Sequence, residues 1–314
     1  MKRVNSLKWI ASLLTLLIVV ICPISVFAGA DDNTDELSLT IMFSHENKAV
    51  EGVNFRIYRV TDRGLHFTEN FSGYSVTLED LDSQDLMAAA ATLAAYAARD
   101  NIPADAEGVT NMSGGLNFSD ITAGVYLVVG DPQTGEDGII YIPQPFLVQI
   151  PYVDSDGTVT YSVVSEPKYD IRYEGETLAY RVLKIWDDNG RKERPTEIVV
   201  QLLCDGKIYD EVTLNAENNW RSAWSELDAA HMWQITEKTV PEGYTVKVEQ
   251  QGITLTVTNT YDNPDDTGSG TTTPGGGNKL PQLGQLWWPV PILMAVGLMF
   301  MTTGIAVRRR EYNV

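Results

Sequence analysis

Cysteine and histidine are scarce in this chain of 314 residues, which has two cysteines and three histidines. Cys22 lies in an apolar N-terminal segment that we expect to be removed, so Cys204 would remain without a cysteine partner. The sequence therefore excludes an intrachain disulfide in the mature protein. The histidines have no spacing typical of metal ligands, and we predict no metal site and no cofactor.

Basic residues are also few. Between Gly29 and Leu283, the sequence has 17 lysines and arginines against 41 aspartates and glutamates. Such an acidic surface repels nucleic acids and anionic lipids, so we expect no nucleic-acid partner. The sequence also shows no Ser/His/Asp constellation and no phosphate-binding loop, which favours a protein that is not an enzyme.

Apolar segments stand near both ends of the chain. Residues 1–28 combine a basic start, an apolar run and the small-residue end Val26-Phe27-Ala28, which is typical of a cleaved signal peptide. Residues 287–307 carry no charge and are long enough for a transmembrane helix, and three arginines follow them. The sequence thus predicts an extracellular protein that is inserted in the membrane through its C-terminal segment.

The sequence between these segments divides into two β-rich modules and a spacer. Residues 31–168 hold short β-like runs, among them "YSVTL", and one alanine-rich stretch at 82–100 that predicts a helical insertion. Residues 177–261 hold seven β-like runs at regular spacing, which is typical of a β-sandwich. Residues 262–279 are rich in Gly, Thr, Pro and Asp, which predicts a flexible spacer. The predicted fold class is mostly β, with two tandem domains and a C-terminal transmembrane helix.

Three strands of the second module each place one polar residue on a face that is otherwise apolar. These residues are Lys184, Glu237 and Asn259, and each alternates with large hydrophobic residues. An unpaired buried charge is very costly, so the three side chains should interact. A buried Lys–Glu ion pair with a hydrogen-bonded Asn would explain the pattern, and so would a shifted strand register. The third interpretation is a spontaneous Lys–Asn isopeptide bond, with Glu237 as the proton-transfer group.

The second module resembles the Cna B-type repeat domain of Gram-positive surface proteins and pilins. The resemblance covers essentially all of 177–261 and is carried by "LKIWDDNGRKERPTEIVVQLLCDGK", "VTLNAENNW", "WQITEKTVPEGYTV" and "TVTNTY". It implies an Ig-like or prealbumin-like β-sandwich. It also implies an isopeptide bond between Lys184 and Asn259 that is catalysed by Glu237, and these are the three residues that the alternation indicates.

The first module resembles pilin-type domains through "NKAVEGVNFRIYRV" and "ITAGVYLVV". The family's "G-YxLxE" segment lacks its Glu here, because the sequence reads "GVYLVVG". The first strand has no Lys and the last strand has no Asn. We therefore predict no isopeptide bond within residues 31–168.

Residues 280–314 resemble a sortase sorting signal, which consists of an LPxTG-like motif, an apolar span and a basic tail. The motif would be Leu280, Pro281, Gln282, Leu283 and Gly284, with cleavage after Leu283. Leu283 replaces the usual Thr, which leaves open an altered sortase preference, poor processing or retention in the membrane. The resemblance implies a sortase as a partner, and attachment to peptidoglycan or to other pilin subunits.

The segment "YSVVSEPKYD" resembles the pilin motif whose lysine accepts the next subunit. The match is Lys168 after Pro167, whereas Glu166 and Tyr169 replace the usual Tyr and Asn. The other interpretation of Lys168 is an ordinary exposed lysine between the domains. The sequence favours a wall-anchored structural protein such as a pilin subunit. The alternative is a monomeric adhesin, anchored to the wall or membrane, whose N-terminal domain binds a host or surface ligand that the sequence does not name.

Overall fold

A computed structural model of the chain describes residues 36–261, apart from residues 80, 136, 137, 155 and 192. The predicted signal peptide at 1–28, the spacer at 262–279 and the sorting signal at 280–314 lie outside the described residues. Within the described part, no helix is both long enough and apolar enough to cross a membrane.

The first module is built from short strands and one helix. The elements up to the helix are β1 (Ser38–Met42), β2 (Ser44–His45), β3 (Lys48–Ala49), β4 (Asn54–Thr61) and α1 (Ser83–Arg99). The strands that follow are β5 (Ala106–Val109), β6 (Gly115–Phe118), β7 (Gly124–Gly130), β8 (Gln133–Thr134), β9 (Ile139–Pro143), β10 (Phe146–Ile150), β11 (Tyr152–Val153), β12 (Val159–Thr160), β13 (Ser162–Ser165) and β14 (Tyr169–Tyr173).

The larger sheets of this module have the strand orders β13-β1-β6, β10-β7-β4-β5 and β14-β9-β8. Alternate residues of β1 and β4 point inward, so Leu39, Ile41, Phe55 and Ile57 are fully buried in one hydrophobic cluster. In the described part of this module, the buried polar residues are three threonines and include no lysine, asparagine or carboxylic acid. The absence of an isopeptide bond within residues 31–168 stays a prediction.

Two segments of the first module differ from the sequence prediction. The segment "YSVTL" at 74–78 is not a strand, because its backbone makes a single hydrogen bond to a neighbouring strand, from the N–H of Val246 to the backbone oxygen of Ser75. Its apolar side chains Val76 and Leu78 are nevertheless buried. The sequence predicts that residues 169–173 lie between the two modules, but in the structure they form β14. This strand pairs with β9 and thereby extends the first module beyond Lys168.

Helix α1 forms where the alanine-rich stretch predicted it. Asp82 is the N-cap and accepts hydrogen bonds from the backbone N–H groups of Gln84 and Asp85, which would otherwise be unpaired. Alanine has the highest helix propensity, and the run between Met87 and Arg99 contains eight alanines. The helix ends before Asn101, whose φ of 54° is incompatible with a continuing helix.

The second module is a sandwich of one mixed sheet and one antiparallel sheet. Its strands are β15 (Thr177–Asp187), β16 (Glu197–Cys204), β17 (Lys207–Asn215), β18 (Arg221–Asp228), β19 (Trp233–Glu237), β20 (Tyr244–Gln251) and β21 (Thr254–Tyr261). One sheet has the order β18-β15-β21-β20 and the other β17-β16-β19. All seven strands predicted from the sequence are confirmed. Within the first sheet, β15 and β21 run parallel to each other.

Helix α1 packs on both modules. On one side it contacts β7 and β10, and on the other side it contacts β19 and β20 of the second sandwich. Buried residues of both modules form one hydrophobic cluster, in which Leu93 of the helix is fully buried. Residues 36–261 belong to one compact unit.

The hydrophobic cluster shared by the two modules leads to a testable prediction about the free energy of unfolding. We expect Leu93→Ala to lower the free energy of unfolding by about 2–5 kcal/mol, because it leaves a cavity in the common core. In a chain of residues 31–261, the four tryptophans all lie between positions 186 and 233, so their fluorescence reports the second module. Urea unfolding should therefore show the loss in the tryptophan signal.

Met87→Ala is the matched control for this experiment. Met87 is on the same helix but is 44% exposed, so its truncation should change the free energy of unfolding by no more than about 0.5 kcal/mol. A tryptophan transition that is the same in the Leu93→Ala chain and in the wild type would contradict a core shared by the two modules.

Candidate functional site

The three polar residues indicated by the alternation lie on three strands of the second sandwich. Lys184 on β15 faces Val257 across the parallel pair, and Asn259 is two residues further along β21. From strand spacing, their Cα atoms are about 8 Å apart, within reach of a lysine side chain. Glu237 is the last residue of β19 in the other sheet and interacts electrostatically with Lys184. The two sheets thus bring an amine, a carboxamide and a carboxyl group to one region of the core.

All three side chains are buried, with exposed fractions of 4% for Lys184 and 0% for Glu237 and Asn259. The Lys184 Nζ donates to the backbone oxygen of Ile185 at 2.5 Å and lies 4.0 Å from the centroid of the Trp186 ring. Among the described residues, neither carboxyl oxygen of Glu237 has a hydrogen bond of good geometry, and neither do the side-chain N and O atoms of Asn259, although Asn259 lies near enough to Glu237 to lower its pKa. Such unpaired buried groups are costly and rare, so these four atoms require an explanation.

The burial also changes the protonation of the pair. Burial raises the pKa of Glu237 above its ordinary value, and the charge of Lys184 and the Asn259 side chain lower it by less. Burial lowers the pKa of Lys184 below its ordinary value, and the opposing charges of Glu237 and Asp188 only partly offset this effect. The site therefore favours an uncharged amine and an uncharged carboxylic acid.

Further side chains that were not predicted from the sequence surround this cluster. The buried Asp188 forms an ion pair with Arg194 and accepts a hydrogen bond from the Tyr244 hydroxyl at 3.1 Å. The ring of Trp186 packs edge-on against Trp220 at 5.6 Å and against Tyr244 at 5.3 Å between centroids. These aromatic rings shield the amine of Lys184 from water. The same alternation that indicated Lys184 places Trp186 on its face, so this part of the environment had a signal in the sequence.

Tyr96 of α1 also reaches the site from the first module. Its hydroxyl donates to the backbone oxygen of Glu237 at 3.1 Å, and its ring is buried. Burial raises the pKa of Tyr96, and the charge of Glu237 raises it further. No pattern in the sequence connects these two residues, because 141 positions separate them and they belong to different modules.

Lys168 lies in the short connection between β13 and β14 and is half-buried, not fully exposed. Its Nζ is 3.9 Å from the sulfur of Met87, and its backbone oxygen accepts a hydrogen bond from Gln144 N at 2.8 Å. Because β14 pairs with β9, Lys168 is part of the first module. The residues of the predicted sortase motif, 280–284, lie outside the described residues.

One cluster was not expected from the sequence. Ligand atoms of Cys204, Asp205 and His231 lie within 4.8 Å of one another, although their spacing in the sequence gave no sign of a metal site. The His231 Nδ1 and a carboxyl oxygen of Asp205 are 2.6 Å apart, which is a hydrogen-bond distance. The turn after β16 and the segment before β19 meet here, and both Asp205 and His231 are largely open to solvent.

Each of the two modules matches a known protein family. Residues 180–260 match the family described as the Cna protein B-type domain, and residues 30–166 match the Gram-positive pilin subunit D1, N-terminal domain. The two modules are thus similar to these two families. These matches support a structural protein of the cell surface, similar to pilins and adhesins, and both families are structural domains rather than enzymes.

Similar proteins were also found in Staphylococcus aureus and in Lactobacillus rhamnosus GG. A segment of 96 residues is 43% identical to the "Collagen adhesin" of Staphylococcus aureus; it covers 28% of this chain and 8% of that protein. A B repeat unit of the same organism's collagen-binding surface protein is 19% identical, with 73% of this chain and 98% of that chain covered and a TM-score of 0.27. For the shaft pilin SpaA from Lactobacillus rhamnosus GG, the identity is 16%, the coverages are 73% and 98%, and the TM-score is 0.26.

In a chain that cannot form the Lys184–Asn259 bond, such as one carrying Asn259→Ala, Lys184 and Glu237 remain as a buried ionisable pair. This pair predicts an unusual dependence of the free energy of unfolding on pH. Glu237 has a raised pKa in the folded state, so its stabilising contribution is lost as pH rises from its ordinary pKa through the raised value. Lys184 has a lowered pKa, so its contribution is lost as pH falls from its ordinary pKa through the lowered value. We expect stability near pH 7 to be lower than near pH 5 and pH 9, by on the order of 1–2 kcal/mol.

Urea unfolding of residues 31–261 at the three pH values measures this effect. The control adds Lys184→Met and Glu237→Gln to Asn259→Ala, which removes both titrating groups and keeps similar side-chain volumes. The difference between the two chains isolates the pair from all other titrating residues. Identical pH profiles would show that Lys184 and Glu237 have ordinary pKa values in the folded state.

Proposed function

We propose that this chain is a pilin subunit that a sortase attaches covalently to the cell wall, and that an isopeptide bond between Lys184 and Asn259 stabilises its second module. The observation that carries the proposal is the buried cluster itself. An amine, a carboxamide and a carboxyl group share one apolar region, and the carboxyl and carboxamide atoms lack hydrogen-bond partners among the described residues.

The proposed reaction needs no cofactor. The uncharged amine of Lys184 attacks the side-chain carbonyl carbon of Asn259, a new C–N bond forms, and the bond to the original amide nitrogen breaks. The protonated carboxyl of Glu237 polarises the carbonyl and passes a proton to the leaving nitrogen, while the amine loses a proton to the carboxylate. One ammonia is released, and Glu237 regains its starting protonation state.

The product would satisfy the unpaired atoms. A secondary amide offers one N–H donor and one C=O acceptor, and a protonated carboxyl group offers one O–H donor and one acceptor oxygen. Glu237 can therefore bond to both sides of the new amide. The bond also removes the ionisable amine of Lys184 from the core, where a charged form would be costly.

The bond would join the first strand of the sandwich to its last strand. It closes a loop of about 75 residues, and a crosslink of that size stabilises a fold by several kcal/mol in the analogous case of a disulfide. The protein has no intrachain disulfide available, because Cys204 has no partner in the mature chain. The isopeptide bond would supply the covalent restraint that exported proteins commonly take from disulfides.

Wall attachment is the second part of the proposal. A sortase would cut between Leu283 and Gly284 and transfer the new carboxyl group to an amine of peptidoglycan or of Lys168 on another subunit. Lys168 lies outside regular strands and Pro167 fixes its own φ, which holds the segment in an extended form. The side chain of Lys168 has no ion-pair partner among the described residues.

Ligand binding is the second candidate function. A cleft of about 690 Å³ lies between α1 and the second sandwich and is lined by Met87, Pro143, Trp233, Ile253 and Leu255, among others. Its size is in the range of small-ligand pockets. An adhesin that uses this cleft would be monomeric on the wall or membrane, so the polymer experiment below separates the two functions.

The crosslink is tested by intact mass. We expect residues 31–261 to have a mass lower than calculated by one ammonia, because the Lys184–Asn259 bond forms without any other factor. Lys184→Ala, Glu237→Ala and Asn259→Ala should each restore the calculated mass. Lys207→Ala, which changes an exposed lysine on β17, is the control and should keep the loss of one ammonia.

A wild-type chain with the calculated mass would refute the crosslink. A loss of two ammonia molecules would show that the first module also forms a bond, although its described residues include no buried lysine, asparagine or carboxylic acid. Peptide mapping after proteolysis identifies which residues are joined.

Polymer formation tests the acceptor role of Lys168. In cells that assemble the protein, Lys168→Arg should abolish high-mass covalent polymers and leave monomers attached to the wall. Arginine keeps the charge but cannot act as a nucleophile at neutral pH, because its guanidinium group stays protonated. The measurement is an immunoblot of material released by a muralytic enzyme and boiled in detergent.

Lys207→Arg is the matched control, since Lys207 is an exposed lysine that lies outside the connection between β13 and β14, and it should leave the polymers unchanged. Polymers that persist in the Lys168→Arg chain would exclude Lys168 as the acceptor. A wild-type chain that is found only as monomers, and is extracted fully by detergent, would favour the membrane-anchored adhesin.

A further inference from the structure

One side of α1 faces the second sandwich along the length of the helix. Asp85, Thr92, Tyr96 and Arg99 recur at spacings of seven, four and three residues, which places them on one face. Each of the four makes a polar contact with the second sandwich. The helix belongs to the first module by sequence, but the polar partners of this face lie in the second module.

The N-terminal half of this face contacts β20. Asp85 forms an ion pair with Lys247, and the Thr92 hydroxyl accepts a hydrogen bond from the backbone N–H of Val248 at 2.9 Å. Strand β20 is at the edge of its sheet, so its outer backbone groups have no strand partner there. Thr92 and the Ser75 backbone oxygen, which accepts from Val246 N, satisfy two of them.

The C-terminal half of the face contacts β19, which is the edge strand of the other sheet. The Tyr96 hydroxyl donates to the backbone oxygen of Glu237 at 3.1 Å. The Tyr96 ring stacks on Tyr74 with centroids 4.8 Å apart, and the Arg99 guanidinium lies 4.7 Å from the ring centroid. These contacts hold the Tyr96 ring in one orientation, so its hydroxyl is fixed against the strand that carries Glu237.

A two-layer sandwich is open at its side, where the edge strands of its sheets face each other without hydrogen bonds. Here β19 and β20 are those edges, and α1 contacts both. Glu237 lies on one of these edge strands but has no exposed surface. The apolar part of the helix is therefore what stands between this side of the core and solvent.

We propose that α1 is a wall of the crosslinking site, with Tyr96 as a positioning residue for Glu237, so that the bond between Lys184 and Asn259 forms rapidly only after the first module has docked on the second. The inference rests on the isopeptide bond proposed above. It adds a structural requirement to that reaction, since the crosslinking site in the second module would depend on a helix of the first module.

The chemistry explains why docking should matter. The reaction requires an uncharged amine and a protonated carboxyl group, and both depend on exclusion of water from the site. With the helix displaced, water would reach Glu237 from the open side, its carboxylate would be solvated, and the ammonium form of Lys184 would be stabilised beside it. Loss of the Tyr96 hydrogen bond would also leave the end of β19 held only by its pairing with β16, so the carboxyl group would be held less firmly against Asn259.

The test measures the rate of crosslinking in the full chain. Newly synthesised chain is pulse-labelled, samples are taken over time, and the fraction that yields the joined Lys184–Asn259 peptide is determined by proteolysis and mass spectrometry. We expect Tyr96→Phe, which removes only the hydroxyl, to slow crosslinking about fivefold, the factor that corresponds to one ordinary buried hydrogen bond.

Thr92→Val is the matched control for this substitution. It removes a hydroxyl from the same helix face, also bonded to the second sandwich, but the bond is to β20 and not to the strand of Glu237. We expect its rate to be within about twofold of the wild type, because the shared apolar cluster keeps the helix docked and the Tyr96 hydrogen bond to β19 remains. A merely structural role of the helix would make the two substitutions equivalent.

A charge swap tests docking independently of Tyr96. Asp85→Lys places two lysines against each other and should slow crosslinking, whereas the additional change Lys247→Asp should restore the wild-type rate, because it recreates the ion pair with opposite polarity. Restoration also shows that the slow variant was not simply misfolded.

The outcomes separate the two proposals. A wild-type chain that never forms the joined peptide refutes the isopeptide bond, and the inference about α1 with it. A wild-type chain that does form the bond, together with Tyr96→Phe and Asp85→Lys chains that form it at the same rate, refutes the role of α1 and leaves the isopeptide bond in place.

Discussion

The burial of Lys184 and Glu237 is the constraint on which the second sandwich depends. Two ionisable groups without solvent would normally cost several kcal/mol each, and the structure does not give them a full set of hydrogen bonds among the described residues. The aromatic rings around Trp186 and the apolar faces of both sheets strengthen this effect, because they exclude the water that would stabilise the charges. A stable structural role would favour apolar residues at these positions, so the arrangement is better explained by the proposed chemistry than by an ion pair.

The positions of the two reactive strands give the proposed bond a mechanical consequence. The chain enters the sandwich through β15 and leaves it through β21, and these strands are parallel neighbours. Tension on the chain ends would pull them past each other and load the hydrogen bonds between them in shear. A covalent link between Lys184 and Asn259 would carry that load directly, so the 74 residues between them would stay folded under tension. Such a property suits a subunit that connects a cell to a surface.

The sequence could predict what depends on local periodicity. Alternation located the seven strands and placed Lys184, Glu237 and Asn259 on the buried face, and alanine content with the Asp82 cap located α1. It could not predict that "YSVTL" packs without forming a strand, since that depends on the edge of β20 more than 160 residues away. Tyr96 was missed for the same reason, because its partner is a backbone oxygen in another module. Ile253 alternates with Leu255 and Val257 in the sequence, which predicts that it is buried on the same face as Asn259. It is instead 49% exposed, because β21 begins only at Thr254.

The two modules support each other unequally. In its described residues, the first module has no buried lysine or carboxylic acid that could form a crosslink, and its α1 carries a row of polar groups whose partners lie in the second module. Its stability should therefore depend on docking. The second module also gains from docking, because part of its core lies in the cluster that it shares with α1. The proposed bond, once formed, would hold the strands of the second module together whether or not the helix stays in place, so the first module relies on docking more than the second does.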